Sequence, residues 1–118
     1  MKHILIIDDS FIMRNWVKKL LNKENFNFIE AANGKEALEA LENHNIDLVF
    51  LDLLMPQYDG IFFLDSIKNK NMLQKIIVLS ADIQDTTRKK ILSYGVAGFL
   101  NKPPKEEELQ RLMNNILV

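Results

Sequence analysis

Short aliphatic runs alternate with amphipathic stretches along the whole chain. "HILII" (3–7), "NFIEAA" (27–32), "DLVFL" (47–51), "KIIVLS" (75–80) and "AGFL" (97–100) are too short and too apolar for helices and predict strands. Between them the period changes. In "SFIMRNWVKKLLNK" (10–23), Met13, Trp16, Val17, Leu20 and Leu21 recur at helical spacing, with Ser10 placed to cap the first turn. Helices are also predicted over 33–44, with Ala37, Leu38 and Leu41 inward, over 60–69 behind a capping Asp59, and over 84–95, ended by Gly95. The last helix, 105–117, carries glutamates in its first turn, where the helix dipole favours them. In the third helix Ile61, Phe63, Leu64 and Ile67 define the buried stripe, so Phe62 is expected on the exposed side, available with Tyr58 for a contact to a partner. Trp16 is expected to pack, half-buried, with no tie to a functional site.

Strand-helix alternation repeated five times is a (βα)₅ pattern. It implies an α/β, doubly wound parallel sheet with right-handed crossovers and helices on both faces. The 118 residues are one domain's worth, so a single domain, 1–118, is expected, with no linker and no output domain.

Composition narrows the function classes. A net charge of -1 gives no electrostatic reason to expect nucleic acid as a partner. The absence of cysteine excludes disulfides, thiolate metal sites and thiol nucleophiles. No apolar run approaches the ~20 residues of a membrane span, and acids interrupt the N-terminal run too early for a signal peptide, so the expected compartment is the cytoplasm.

The chemistry lies in the acids that end the greasy runs. Asp8 and Asp9 follow the first strand, and Asp52 follows the third. Ligands of open parallel sheets bind beyond the carboxyl ends of the strands, where the strand order reverses. In the order 2-1-3-4-5 the first and third strands are neighbours there, so three carboxylates meet in one crevice. They repel unless a hard divalent cation with oxygen ligands joins them, for which Mg²⁺ is suited. Ser80 at the end of the fourth strand and Lys102 after the fifth add a hydroxyl and a positive charge to the same edge. Taken singly each residue is ordinary: an Asp after a strand is as readily a helix cap as a ligand, and Lys102 alone would be a solvated lysine. Arg88, Lys89 and Lys90 read as a wet helix face, and His3 and His44 have no partner motif.

Together, "IIDDS", "LDLLMPQYDG", "VLSA" and "GFLNKP" resemble the four motifs of bacterial two-component response-regulator receiver domains of the stand-alone, chemotaxis or relay kind. The resemblance runs along the whole chain. It implies the flavodoxin-like receiver fold with strand order 2-1-3-4-5. It also implies that Asp52 accepts a phosphoryl group from a histidine kinase or phosphotransfer protein. Asp9, Asp52 and the Leu54 carbonyl would bind Mg²⁺, which Mn²⁺ can replace, with Asp8 acting through a water. Lys102 and Ser80 would hold the phosphoryl oxygens, and Phe99 would be the aromatic that turns inward when Ser80 moves. Lys102–Pro103 is a candidate cis peptide bond. Pro104 stands where the family has an apolar residue. Leu54 offers no polar group to position an attacking water and can shield an acyl phosphate, whereas Asp82 does offer one.

The function so implied is a phosphorylation-activated switch, not an enzyme beyond assisting its own phosphorylation and dephosphorylation. It signals to a separate protein through the fourth helix, fifth strand and fifth helix, and its expected state is a monomer or weak dimer. A chemotaxis motor regulator is favoured over a relay intermediate. A metal-dependent phosphatase would need a second acid at position 54. A receiver kept only for binding would have lost one of its acids or the lysine. A flavin or nucleotide carrier would need a glycine-rich phosphate loop after the first strand, where "DDSF" stands.

Overall fold

The structure is a computed structural model and describes residues 1–21, 25–72, 74–81 and 84–116. The predicted helix ends at 22–23 and 117, and Asp82, lie outside them. Five strands, β1 (Lys2–Ile7), β2 (Phe26–Ala31), β3 (Leu48–Asp52), β4 (Ile76–Ser80) and β5 (Gly98–Asn101), alternate with five helices. These are α1 (Phe11–Leu20), α2 (Gly34–Asn43), α3 (Gly60–Asn69), α4 (Asp85–Leu92) and α5 (Glu106–Ile116). The strands form one parallel sheet in the order β2-β1-β3-β4-β5, as expected.

Strand alternation divides the core into two layers. Ile4, Ile6, Leu48, Phe50, Ile77 and Leu79 face α1 and α5, meeting Val17, Leu20, Leu109 and Met113. Leu5, Ile7, Val49, Leu51, Ile76 and Val78 face the other way, toward Ala37 and Leu41 of α2, Phe63, Leu64 and Ile67 of α3, and Ile91 of α4. β3 and β4 are buried throughout because both their faces are covered.

The helix starts are capped as the sequence predicts. Ser10 accepts from the Met13 N–H, Asn33 from Glu36 and Asp59 from Phe62. α4 stops earlier than predicted, at Leu92. Its last turn tightens, with Tyr94 N–H donating to the Ile91 carbonyl and Gly95 N–H to Leu92, before Gly95 leaves at φ 79°.

Phe62 corrects the helical phase argument. It is half-buried, not exposed. Its ring lies 4.9 Å from that of Tyr58, and its Cδ1 stands 2.9 Å from where a Cβ on Gly34 would be. Gly34 also donates to the Tyr58 carbonyl at 2.6 Å. Phe62 therefore closes the junction between the start of α2 and the loop before α3, a contact that periodicity within α3 cannot reveal.

Gly34→Ala is expected to lower stability by about 1–3 kcal/mol through overpacking, since the Tyr58 and Asp59 carbonyls also stand 3.0 Å from the new Cβ. Adding Phe62→Ala should not restore the loss, because the carbonyls remain. Urea unfolding of the single and double variants measures both, and full rescue would locate the constraint in the ring alone.

Candidate functional site

Strand register assembles the site. Ile7 pairs with Leu51, so the next residues, Asp8 and Asp52, emerge level from adjacent strands at the reversal of strand order. Asp52 pairs with Leu79, which places Ser80 one step beyond, and Ser80 pairs with Asn101, the residue before Lys102. Each predicted side chain thus arrives at one sheet edge because its strand ends there.

Asp8, Asp9 and Asp52 can bring one carboxylate oxygen each within 4.8 Å of one another. Asp8 and Asp52 are 1 % and 4 % exposed, whereas Asp9 is exposed. The Lys102 ammonium lies between the buried pair, 2.8 Å from Asp8 Oδ2 and 3.2 Å from Asp52 Oδ2. The contact with Asp8 Oδ2 is an ion pair without the alignment of a hydrogen bond, so this buried oxygen has a charge beside it but no donor aimed at it. Asp8 Oδ1 accepts from the Ser10 N–H at 2.9 Å, and Asp52 Oδ1 from the Leu54 N–H at 3.3 Å.

Burial, and then the Asp8 charge, push the Asp52 carboxyl up to about 6, against the opposing pull of Lys102 and the Leu54 amide. Burial acts to lower the Lys102 ammonium, but the carboxylates of Asp8 and Asp52 outweigh it and hold the lysine above its ordinary value. One ammonium does not balance three acids. An all-oxygen donor set, an excess of negative charge and a buried oxygen without a donor fit a hard divalent cation.

Backbone packing fixes the loop after β3. A Cβ on Gly60 would lie 2.8 Å from Leu53 Cα and 2.9 Å from the Asp52 carbonyl, so this position needs glycine for the start of α3 to press on the segment carrying Asp52. The Leu54 side chain is 75 % exposed and lines, with Leu53, Asp59, Ile61, Ser80, Gln84 and Thr87, a cleft of about 280 Å³. Ser80 is 7 % exposed. The Lys102–Pro103 bond, the candidate for a cis peptide, is cis.

The family model of the response regulator receiver domain matches residues 4–114. The chain belongs to this family. It is 36% identical over 115 residues to the chemotaxis protein CheY of Bacillus subtilis, covering 97% of this chain and 96% of that one. It is 33% identical over 116 residues to the CheY of Halobacterium salinarum, covering 98% and 97%. Among solved structures, the CheX–CheY–BeF₃–Mg²⁺ complex from Borrelia burgdorferi contains a chain similar at TM-score 0.90 and 32% identity, covering 99% of this chain and 90% of that one. Receiver domains of the CheY type are regulators set by phosphorylation, and this one is CheY-like. No helix among the described residues is long and apolar enough to cross a membrane.

Three side chains of this receiver domain escaped the sequence reading. Arg14 donates from Nη1 to the Asp8 carbonyl at 2.5 Å and from Nε to Glu30 at 2.9 Å, bracing the loop that carries the acids. Glu30 is thereby held below its usual value: burial acts against this, but Lys18 and Arg14 prevail. Arg88 is exposed, as expected of a wet helix face, but it also sets its guanidinium 4.8 Å above the Phe99 ring, which is half-buried against the core. Trp16, expected to be unconnected with the site, donates from Nε1 to the Pro104 carbonyl at 3.2 Å. The pairing of Ile6 with Glu30 could have led from β1 to Arg14's partner. Nothing local signals the other two.

Asp52 has a folded-state pKa, about 6, above the 3.8 of an ordinary Asp, so the fold binds more protons between those values. Its contribution to stability is full below the unfolded value and is lost as pH rises through about 6. In metal-free protein Asp52→Asn should therefore be more stable than wild type at pH 7.5, by about 1–3 kcal/mol, and lose that advantage near pH 4. Urea unfolding at the two pH values checks the sign.

Proposed function

We propose that this receiver domain takes a phosphoryl group on Asp52 from a phosphohistidine of a histidine kinase or phosphotransfer protein. The observation that carries this is the placing of Asp52: buried, at the strand-order reversal, with the Lys102 ammonium 3.2 Å from Oδ2. An Asp52 carboxylate oxygen attacks phosphorus while the P–N bond breaks. The electron pair leaves with the imidazole, and an acyl phosphate remains. Lys102 is near enough to follow the transferred oxygens, and Ser80, one step past the residue paired with Asp52, can donate its hydroxyl to one of them. Asp9, Asp52 and the Leu54 carbonyl would hold Mg²⁺, or Mn²⁺ in its place, with Asp8 acting through a water. That cation supplies Lewis-acid neutralisation of charge on the phosphoryl oxygens. Burial of Asp8 against Lys102 and exposure of Asp9 support this division of labour.

The switch follows from competition for space. Movement of Ser80 toward the phosphoryl group vacates volume that Phe99 can fill, which reshapes α4, β5 and α5. A differential contact of a few kcal/mol is enough to invert a two-state population. The reading is of a cytoplasmic regulator, monomeric or weakly dimeric. It acts by docking that face on a separate protein and has no turnover beyond its own phosphorylation and dephosphorylation. The two CheY relatives favour a chemotaxis motor regulator over a relay intermediate.

Acetyl phosphate with Mg²⁺ should label wild type on Asp52, located by mass spectrometry of the borohydride-reduced peptide. Asp52→Asn or excess EDTA should abolish labelling. Stable phosphate on a histidine or serine would refute the assignment. Asp9→Ala should weaken Mg²⁺ binding more than Asp8→Ala.

Leu54→Asn should shorten the acyl-phosphate lifetime, because an amide two residues past Asp52 can orient the attacking water where leucine only shields. A lifetime that is unchanged or longer rejects the shielding.

A further inference from the structure

The segment that carries Lys102 has few backbone donors of its own. Lys102 N–H donates to the Ser80 carbonyl at 2.8 Å, which anchors its beginning. The next two residues, Pro103 and Pro104, have no N–H to donate. Regular structure resumes only with α5 at Glu106, after Lys105, whose carbonyl accepts the Leu109 N–H. Pro104 is buried, and its carbonyl receives the indole N–H of Trp16 from the middle of α1. The bond spans 88 positions in sequence and fastens the far end of the segment. α1 is itself fixed to the acid loop by Arg14, whose Nη1 donates to the Asp8 carbonyl. One helix thus grips both walls of the crevice. On one side Arg14 holds the loop of Asp8 and Asp9, and on the other Trp16 holds the strap that ends β5 and carries the ammonium.

We propose that Trp16 is a positioning residue for Lys102: its indole N–H, bonded to the Pro104 carbonyl, sets where the ammonium stands relative to Asp52 and so the rate of phosphoryl transfer. The proposal rests on Asp52 as acceptor and deepens that reading. It also separates two properties of the site. The oxygen groups read as cation ligands, on Asp9, Asp52 and Leu54, lie at the ends of β1 and β3 or just beyond them, whereas Trp16 holds the segment after β5. Loss of the indole donor should disturb phosphoryl transfer and leave cation affinity alone. A general loosening of the fold would disturb both.

The test is Trp16→Phe, which keeps an aromatic ring at a position 38 % exposed and removes the donor. With acetyl phosphate and Mg²⁺, labelling of the variant should slow by about two- to tenfold, the range set by one hydrogen bond. Mg²⁺ affinity, from titration calorimetry, should stay within error of wild type. In a Lys102→Ala background, Trp16→Phe should cause no additional slowing. Wild-type rates in the variant, a matching loss of Mg²⁺ affinity, or an undiminished effect without Lys102 would each overturn the proposal. A wild type that takes no label on Asp52 overturns the reading beneath it; a wild type that labels normally alongside an unaffected variant overturns the role of Trp16 alone. If Trp16→Phe does not fold, the wild type decides, because the chain has 1 tryptophan. Loading with beryllofluoride and Mg²⁺, followed by ¹⁹F NMR, should shift the indole emission beyond the change caused by Mg²⁺ alone. An unchanged emission would refute the coupling.

Discussion

Everything in this molecule is arranged around an ammonium wedged between two buried carboxylates. Asp8 and Asp52 stand level on neighbouring strands, where two negative charges out of water are tolerable only with a partner. Lys102 is that partner, brought from the far side of the sheet. The compensation is incomplete: Asp52 still favours its proton more than an exposed aspartate does, and one oxygen of Asp8 has no aligned donor. The site is thus held together and held short of neutrality at once. On the proposed reading, that residual field is what would draw a cation in, and the bound cation would make a phosphoryl group acceptable where bare carboxylates would repel it.

The surrounding fold serves this wedge. Parallel strands with both faces covered form a stiff slab whose edge residues are fixed by register rather than by loop sequence. Gly60 lets α3 press on the backbone behind Asp52, and Arg14 ties α1 to the backbone of Asp8. The chemistry therefore sits on element ends set by packing, while the loops between them need only reach.

How far the sequence led depended on whether a residue's role is local. Asp8, Asp9, Asp52, Ser80 and Lys102 were legible because each ends an apolar run, and the architecture of parallel sheets says where such ends converge. The caps Ser10 and Asp59 were legible because a cap bonds three residues along its own chain. Phe62 was misread, and the contacts of Arg88 and Trp16 were missed, for one shared reason: each meets a partner elsewhere in the chain, Gly34, Phe99 and Pro104, that no periodicity within a single helix can name. The end of α4 was placed too late because a glycine marks where a helix has stopped, and the preceding tight turn is not visible as a pattern.

The way α4 is attached has a consequence of its own. Ile91 is its one buried residue, and the rest of the helix is exposed, including Arg88, whose guanidinium lies over the Phe99 ring. A helix fastened by one aliphatic pin and one cation over a ring can be re-seated without dismantling the sheet beneath it. It forms a compliant panel on an otherwise rigid casing. The aromatic under the guanidinium is Phe99, so mechanical give is concentrated beside the ring to which the proposed switch assigns the movement.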